Sequence, residues 1–254
     1  MFPSPPSITM NNFELYSLAE RYHKLINPMY PEKVVEVGRI AGMEEGKTVI
    51  EFGSGRGEVM ALWAKNLGIE GLGIEIRKTS NDHGLKRIEE LRLEEKVTLV
   101  NKDASGYEFE EDFYDFACAI GTSFIWGGFE PTLKNLIKAA KPNGKLLIGE
   151  PYWNHGKAPE EFNEEEEGKI HTEREMLDII RNHGYTIKYI VRSSLDEWDL
   201  YEANNWRSLI EWLEENPLHP ERNEVEEFLT KLQNDYLTFG REHFGWAIFL
   251  IVRK

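Results

Sequence analysis

Apolar positions along the chain follow two different periods. Leu15, Leu18, Tyr22 and Leu25 recur at helical spacing behind Asn12, the expected cap, and Asn27-Pro28 stops the run. A second short helix is expected over Glu32–Ala41. From Thr48 onward, short apolar runs take turns with helix-period segments. Strands are expected at Thr48–Phe52, Gly71–Ile76, Val97–Asn101, Tyr114–Ile120 and Lys145–Gly149. Between them lie helices at Glu58–Leu67, closed by Gly68, at Asp82–Leu93, and in the segment entered at Pro131. Strands alternating with helices of about 10–15 residues pair in parallel, with right-handed crossovers and helices on both faces of the sheet. The fold class is therefore α/β.

The second half changes character at the acidic run "EEFNEEEEGK", read as a solvated loop or the first turn of a helix. Thr172 and Glu175 form a capping-box pattern ahead of Met176, Leu177, Ile179 and Ile180, and Gly184 ends that helix. A strand at Tyr185–Val191 comes next, then a Trp-, Glu- and Leu-rich stretch with helical periodicity, then a last strand at Trp246–Val252. No repeat and no linker divides the chain. A single domain is expected: a helical cap over 1–45, a core over 46–192, a helical insertion over 193–244 and a final strand over 245–254. Met1–Asn11, rich in Pro and Ser, is expected to be mobile unless it covers a ligand.

Composition narrows the function classes. Thirty Lys and Arg against 45 Asp and Glu give a net charge of −15, which repels a nucleic-acid backbone, and no basic stripe offsets it. One cysteine, Cys118, inside an apolar strand, excludes an intramolecular disulfide framework and a cysteine metal cluster. His171, His183, His219 and His243 lack ligand spacing, so no metal is expected. The longest apolar run, Trp246–Val252, is too short to span a bilayer, and a cytoplasmic protein without membrane partners is the expectation.

The chemistry concentrates after the first strand. "VIEFGSGRGE" passes from a strand into glycines and then into a helix, which lets backbone approach a ligand closely. Glu75, 22 residues beyond Gly53, stands at the tip of the next strand, where a carboxylate can accept both hydroxyls of a ribose. A dinucleotide fingerprint needs glycine at position 58, where the chain has Glu58. Glu51, two residues before the turn, would repel a pyrophosphate but suits an ammonium group. Asp103, in "NKDA" after the third strand, suits an adenine amino group. S-adenosylmethionine has that ammonium, a sulfonium and no phosphate.

These segments resemble the first three motifs of the class I S-adenosylmethionine-dependent methyltransferases, "GIEI" being the second. "CAIGTSFIWGGF", "LLIGEPYW", "WDLYEANNW" and "REHFGWAIFLIVRK" are similar to an uncharacterised bacterial small-molecule subgroup of that family. The resemblance implies a Rossmann-like three-layer sandwich on a seven-stranded, mostly parallel sheet whose last strand is antiparallel. It implies that Glu51, Gly53, Ser54, Gly55 and Gly57 surround the methionine part, and that Gly121 and Thr122 line the same side. Glu75 and Ile76 would hold ribose and adenine, with Asp103 and Ala104 meeting the adenine.

In an open parallel sheet the acceptor is expected beyond the tips of the fourth and fifth strands. Phe124, Trp126, Phe129, Tyr152 and Trp153 are candidates for an apolar wall there, and Glu150 or His155 for a proton acceptor. The N-terminal helix offers Tyr16 and His23, the latter a further catalytic candidate beside Glu150 and His155, with Tyr22 read as core, and the insertion offers Trp198, Tyr201 and Trp206; both segments are candidate lids. The expected activity is transfer of a methyl group to a small molecule. Two other classes stay open at this point: a non-catalytic protein that binds the donor or its product, and a nicotinamide-dependent oxidoreductase.

Overall fold

The computed structural model describes residues 10–156, 162 and 169–254. The acidic run lies outside the described residues except for Phe162 and Lys169, and of the Pro- and Ser-rich start only Met10 and Asn11 are described.

Seven strands form one sheet: β1 (Thr48–Phe52), β2 (Glu70–Glu75), β3 (Val97–Asn101), β4 (Tyr114–Ile120), β5 (Ala140–Trp153), β6 (Tyr185–Arg192) and β7 (Phe244–Arg253). Their spatial order is β3-β2-β1-β4-β5-β7-β6. β1 to β5 pair in parallel, and β7 runs antiparallel to both β5 and β6. Seven strands with the last one antiparallel are as expected, and the strand order switches between β1 and β4.

Both faces of the sheet are buried, so its central strands are mostly apolar, Glu51 on β1 being an exception. Phe116, Cys118 and Ile120 of β4, with Trp246, Ile248 and Leu250 of β7, face one core. That core is completed by α2 (Pro31–Ala41), α3 (Glu58–Leu67) and α4 (Lys78–Leu91) through Val37, Trp63 and Ile88. The alternate residues Ala117, Ala119, Ala247 and Phe249 face the other, which α5 (Phe129–Ala139) and α6 (Glu173–Asn182) close with Leu133, Leu136, Met176 and Ile180. A third cluster joins α1 (Asn12–Ala19) to the insertion helices α7 (Leu195–Glu215) and α8 (Arg222–Asp235), through Leu15 and Ala19 against Leu209, Leu213 and Val225. The two segments added to the core thus pack on each other.

Several boundaries differ from expectation. The first helix is capped by Asn11, through a capping box with Glu14, and ends at Ala19 in a short 3-10 turn, Glu20–Tyr22. The helical stripe does not continue because Arg56 takes up the carbonyl oxygens of Arg21 and His23, at 3.4 and 2.6 Å, and His23 is extended. Tyr22, expected in the core, is 39% exposed and donates to Glu211 on α7. β5 runs well past Gly149, because Glu150–Trp153 pairs with Phe244–Ala247 of β7, a partner the local pattern does not reveal. α4 begins four residues before Asp82, at Lys78.

Candidate functional site

β1, β2 and β3 end at the same edge of the sheet, and a cavity of about 680 Å³ opens there beneath α1 and α7. The turn after β1 is pinned from below: the amides of Gly53 and Ser54 both donate to the carbonyl of Ile74, at 2.8 and 2.9 Å. Gly55 has a φ of +53°, the left-handed region that glycine enters without strain, and its amide points to Glu75 Oε2 at 2.8 Å. Gly53, Ser54 and Gly55 line the cavity. Gly57 does not; its φ is +66° and a Cβ there would lie 2.7 Å from Leu99 Cδ1 on β3. Its smallness serves the packing of α3 on the sheet.

Two carboxylates converge on the cavity from neighbouring strands. Glu75 is buried, and besides Gly55 it accepts from the amide of Arg77, at 2.7 Å to Oε1. Four lone-pair sites minus these bonds leave it acceptor capacity for a diol. Glu51 is 2% exposed, and its Oε2 has no hydrogen-bond partner among the described residues. Burial, and then the charge of Glu75, push its carboxyl up to about 8. A buried, unpaired acid carries a desolvation cost that a cationic ligand would relieve. The hydroxyl of Ser54 is likewise buried without a partner among the described residues.

The remaining donor-side candidates also reach the cavity. Ile76 is 49% exposed on one wall. Asp103 is exposed, caps the turn at Ala104–Gly106 by accepting from Ser105 N at 2.8 Å, and is held below the usual carboxylate range by that bond. Ala104 is buried beside it. Gly121 and Thr122 follow β4; Thr122 Oγ1 donates to Phe52 O at 2.7 Å, tying the two strand ends together.

The aromatic wall is a different matter. Phe124, Tyr16 and Tyr201 line the cavity, but Trp126, Phe129, Tyr152, Trp153, Trp198 and Trp206 do not. Trp126 packs edge-on against Phe52 at 5.0 Å and Tyr152 against Phe249 at 6.3 Å. Trp153 stacks on Phe244 at 4.5 Å, with Trp198 stacked on the same ring at 6.2 Å. Tyr152, Trp153 and Trp198 pack at the β5–β7 end because β5 continues as a paired strand to Trp153 instead of opening into a loop. Glu150 is turned inward as well: it accepts from the Ser123 amide at 3.2 Å, and burial pushes its carboxyl up to about 7. His155 is exposed, 5.7 Å from the ring of His243, and stands outside the cavity lining. His23 is buried, bonded through Nε2 to Asn205 Oδ1 at 3.0 Å and stacked on Tyr201 at 4.4 Å. It supports a lining residue without lining the cavity itself, and burial lowers its pKa.

Other lining residues carry no pattern in the sequence: Phe13, Glu20, Lys24, Asn27, Arg56 and Arg77. Asn27 Nδ2 reaches Ile120 O at 3.4 Å, next to Gly121, where a Cβ would lie 2.6 Å from the same nitrogen. Only the position of Arg77, directly after a strand tip, gives a local signal. Among the described residues no group of His, Cys, Asp or Glu is arranged to hold a metal ion, and no helix is long and apolar enough to cross a membrane.

A family model described as a methyltransferase domain matches residues 49–144. The chain is 33% identical over 244 residues to the uncharacterized protein YjhP of Escherichia coli (strain K12), covering 94% of this chain and 98% of that one. A crystal structure of an S-adenosylmethionine-dependent methyltransferase from Thiobacillus denitrificans, in complex with S-adenosylhomocysteine, superposes with a TM-score of 0.87 at 30% identity. It covers 97% of this chain and 100% of its own. The corresponding enzyme from Geobacter sulfurreducens, also with S-adenosylhomocysteine, gives 0.87 at 32%, covering 97% and 99%. With the strand order and the cavity at the tips of β1 to β3, these likenesses establish that the chain belongs to the S-adenosylmethionine-dependent methyltransferases.

Proposed function

We propose that the chain transfers a methyl group to a small-molecule acceptor, with the donor seated along the tips of β1, β2 and β3. The observation that carries this reading is Glu51, a buried carboxyl with an oxygen unpartnered among the described residues, in the same cavity as the glycine turn. A methionine ammonium is the complement of that acid. Glu75, with spare lone pairs, is the complement of a ribose diol, and Ile76, Asp103 and Ala104 form an edge for an adenine. Gly53, Ser54, Gly121 and Thr122 bound the amino-acid end between them. The bound donor supplies an electrophilic methyl on a sulfonium, with a neutral thioether as leaving group.

What remains for the protein is alignment and removal of water. The cavity is roofed by Phe13 and Tyr16 of α1, by Leu25, Ile26 and Asn27 after it, and by Tyr201 of α7. A roof built from these segments suits a small acceptor, and the charge of −15 opposes a nucleic acid. Glu150, committed to Ser123, is not arranged as a base. The reaction is an in-line displacement in which placement of the nucleophile outweighs proton transfer. We read cap, core, insertion and last strand as one methyltransferase domain, since α1 and α7 pack together above the core they cover.

Calorimetric titration with S-adenosylmethionine, S-adenosylhomocysteine and NAD tests the donor site; binding to NAD alone would overturn it. Release of S-adenosylhomocysteine with a panel of amines, phenols and carboxylic acids, set against protein and RNA acceptors, tests the acceptor class. Turnover confined to protein or RNA would remove the small-molecule reading.

A further inference from the structure

Glu20 and Arg77 are 57 positions apart and form an ion pair, Arg77 Nη1 to Glu20 Oε2 at 2.7 Å, with the Arg77 and Glu20 side chains only 15% and 7% exposed. Burying two charges is expensive, and here burial outweighs the attraction of Arg77, holding the Glu20 carboxyl above its usual range. Such a pair adds little stability, but removing one partner strands the other, so it fixes a geometry. The geometry it fixes joins two parts of the molecule. Glu20 opens the turn that ends the cap helix, while Arg77 lies just past the tip of β2.

Arg77 is also bound to a second carboxylate. Its amide donates to Glu75 Oε1 at 2.7 Å and its Nε lies 3.5 Å from the same oxygen, while Glu75 Oε2 takes the Gly55 amide at 2.8 Å. An unbroken line of polar contacts thus runs from the cap through Arg77 and Glu75 to the glycine turn. Arg56, which leaves that turn, closes the line into a ring by donating to His23 O at 2.6 Å.

We propose that Arg77 is a positioning residue for methyl transfer, which orients the Glu75 carboxylate while Glu20 is docked on it, so that cap closure and grip on the donor are one coupled event. This rests on the reading that Glu75 meets the ribose. Coupling between two sites is reciprocal: whatever a docked cap adds to donor affinity, a bound donor adds to cap docking. Phe13, Tyr16 and Asn27, which line the same cavity, belong to the cap or the segment after it. A bound donor would therefore favour the docked cap and these lining residues with it, which makes donor-first binding the expected order.

The test is a mutant cycle read by calorimetry with S-adenosylhomocysteine on the full chain, joined to hydrogen exchange of the amides of residues 12–23. Glu20→Gln is expected to weaken binding roughly five- to tenfold, Arg77→Met more, and the double variant no more than Arg77→Met alone. Ligand should slow exchange in the cap of the wild type and not in Glu20→Gln. Arg77→Lys, which keeps a charge, should recover part of the loss and replaces Arg77→Met in the cycle if that variant does not fold. Additive losses, or wild-type affinity in Glu20→Gln while Glu75→Gln binds poorly, would overturn the coupling and leave the ribose reading intact. Wild-type affinity in Glu75→Gln would remove the ribose reading, and the inference with it.

Discussion

At the tips of β1, β2 and β3 the chain turns glycines and carboxylates toward a cavity; at the tip of β5 it turns Tyr152 and Trp153 into its own packing. Both are carboxyl ends of strands in one parallel array, and both carry residues suited to a ligand. The difference lies in how each strand ends. After β1 the chain bends at once through a glycine turn into α3, and that turn is left lining the cavity, its Gly55 amide held by Glu75. β5 instead has an antiparallel neighbour along its last residues, so their side chains are claimed by Phe244 and Phe249 of β7. A strand tip becomes a binding edge where pairing stops, and remains structure where pairing continues.

The strongest way to break this contrast is Gly55→Val. With φ at +53° and a Cβ that would lie 3.2 Å from Ile26 Cδ1, a side chain there strains the turn and turns its amide away from Glu75. S-adenosylhomocysteine affinity should fall about 100-fold or more, with circular dichroism unchanged. Glu75→Ala should cost about 1–3 kcal/mol of the same binding energy by removing its hydrogen bonds, and calorimetry reads the change directly.

Glu51→Gln sharpens the electrostatic side of the comparison. The Glu51 carboxyl, raised to about 8, is mostly protonated at neutral pH, and its ionised form is the one that favours a cation. Affinity for S-adenosylmethionine should therefore rise about five-fold from pH 7 to pH 8, as the ionised fraction grows toward a half, and the slope should vanish in Glu51→Gln. The smallest effect on binding is expected at the β5 end. Trp153→Ala should leave S-adenosylhomocysteine affinity within about two-fold while lowering stability by about 3–5 kcal/mol in a denaturant melt, since it empties a stacked cluster. A large loss of affinity in that variant would return Trp153 to the site.

The same contrast governs what the sequence made legible. Parallel topology came from alternating periods, and the closing antiparallel pair from the resemblance of "REHFGWAIFLIVRK" to a known family. The residues around the glycine turn stood out because a close backbone approach restricts residue type at fixed spacing. Aromatic residues carry no such restriction: Trp126 and Tyr152 are equally at home in a core and in a pocket, and for Tyr152 only the length of β5 separates the two uses. Glu20 and Asn27, and the pairing of Arg77 with Glu20, were invisible for another reason. Their partners are remote in sequence, so the pairing exists only in three dimensions.

The position of β7 between β5 and β6 means that the sheet is joined into one only when the seventh strand is in place. During synthesis β6 emerges before the whole insertion and before β7, the one strand it neighbours in the sheet among the described residues. Until β7 arrives, both β5 and β6 present open edges, and pairing across so long a stretch of chain is slow. The last strand is inserted rather than appended, which makes that step the moment at which a nascent chain is most exposed to misassembly with its neighbours.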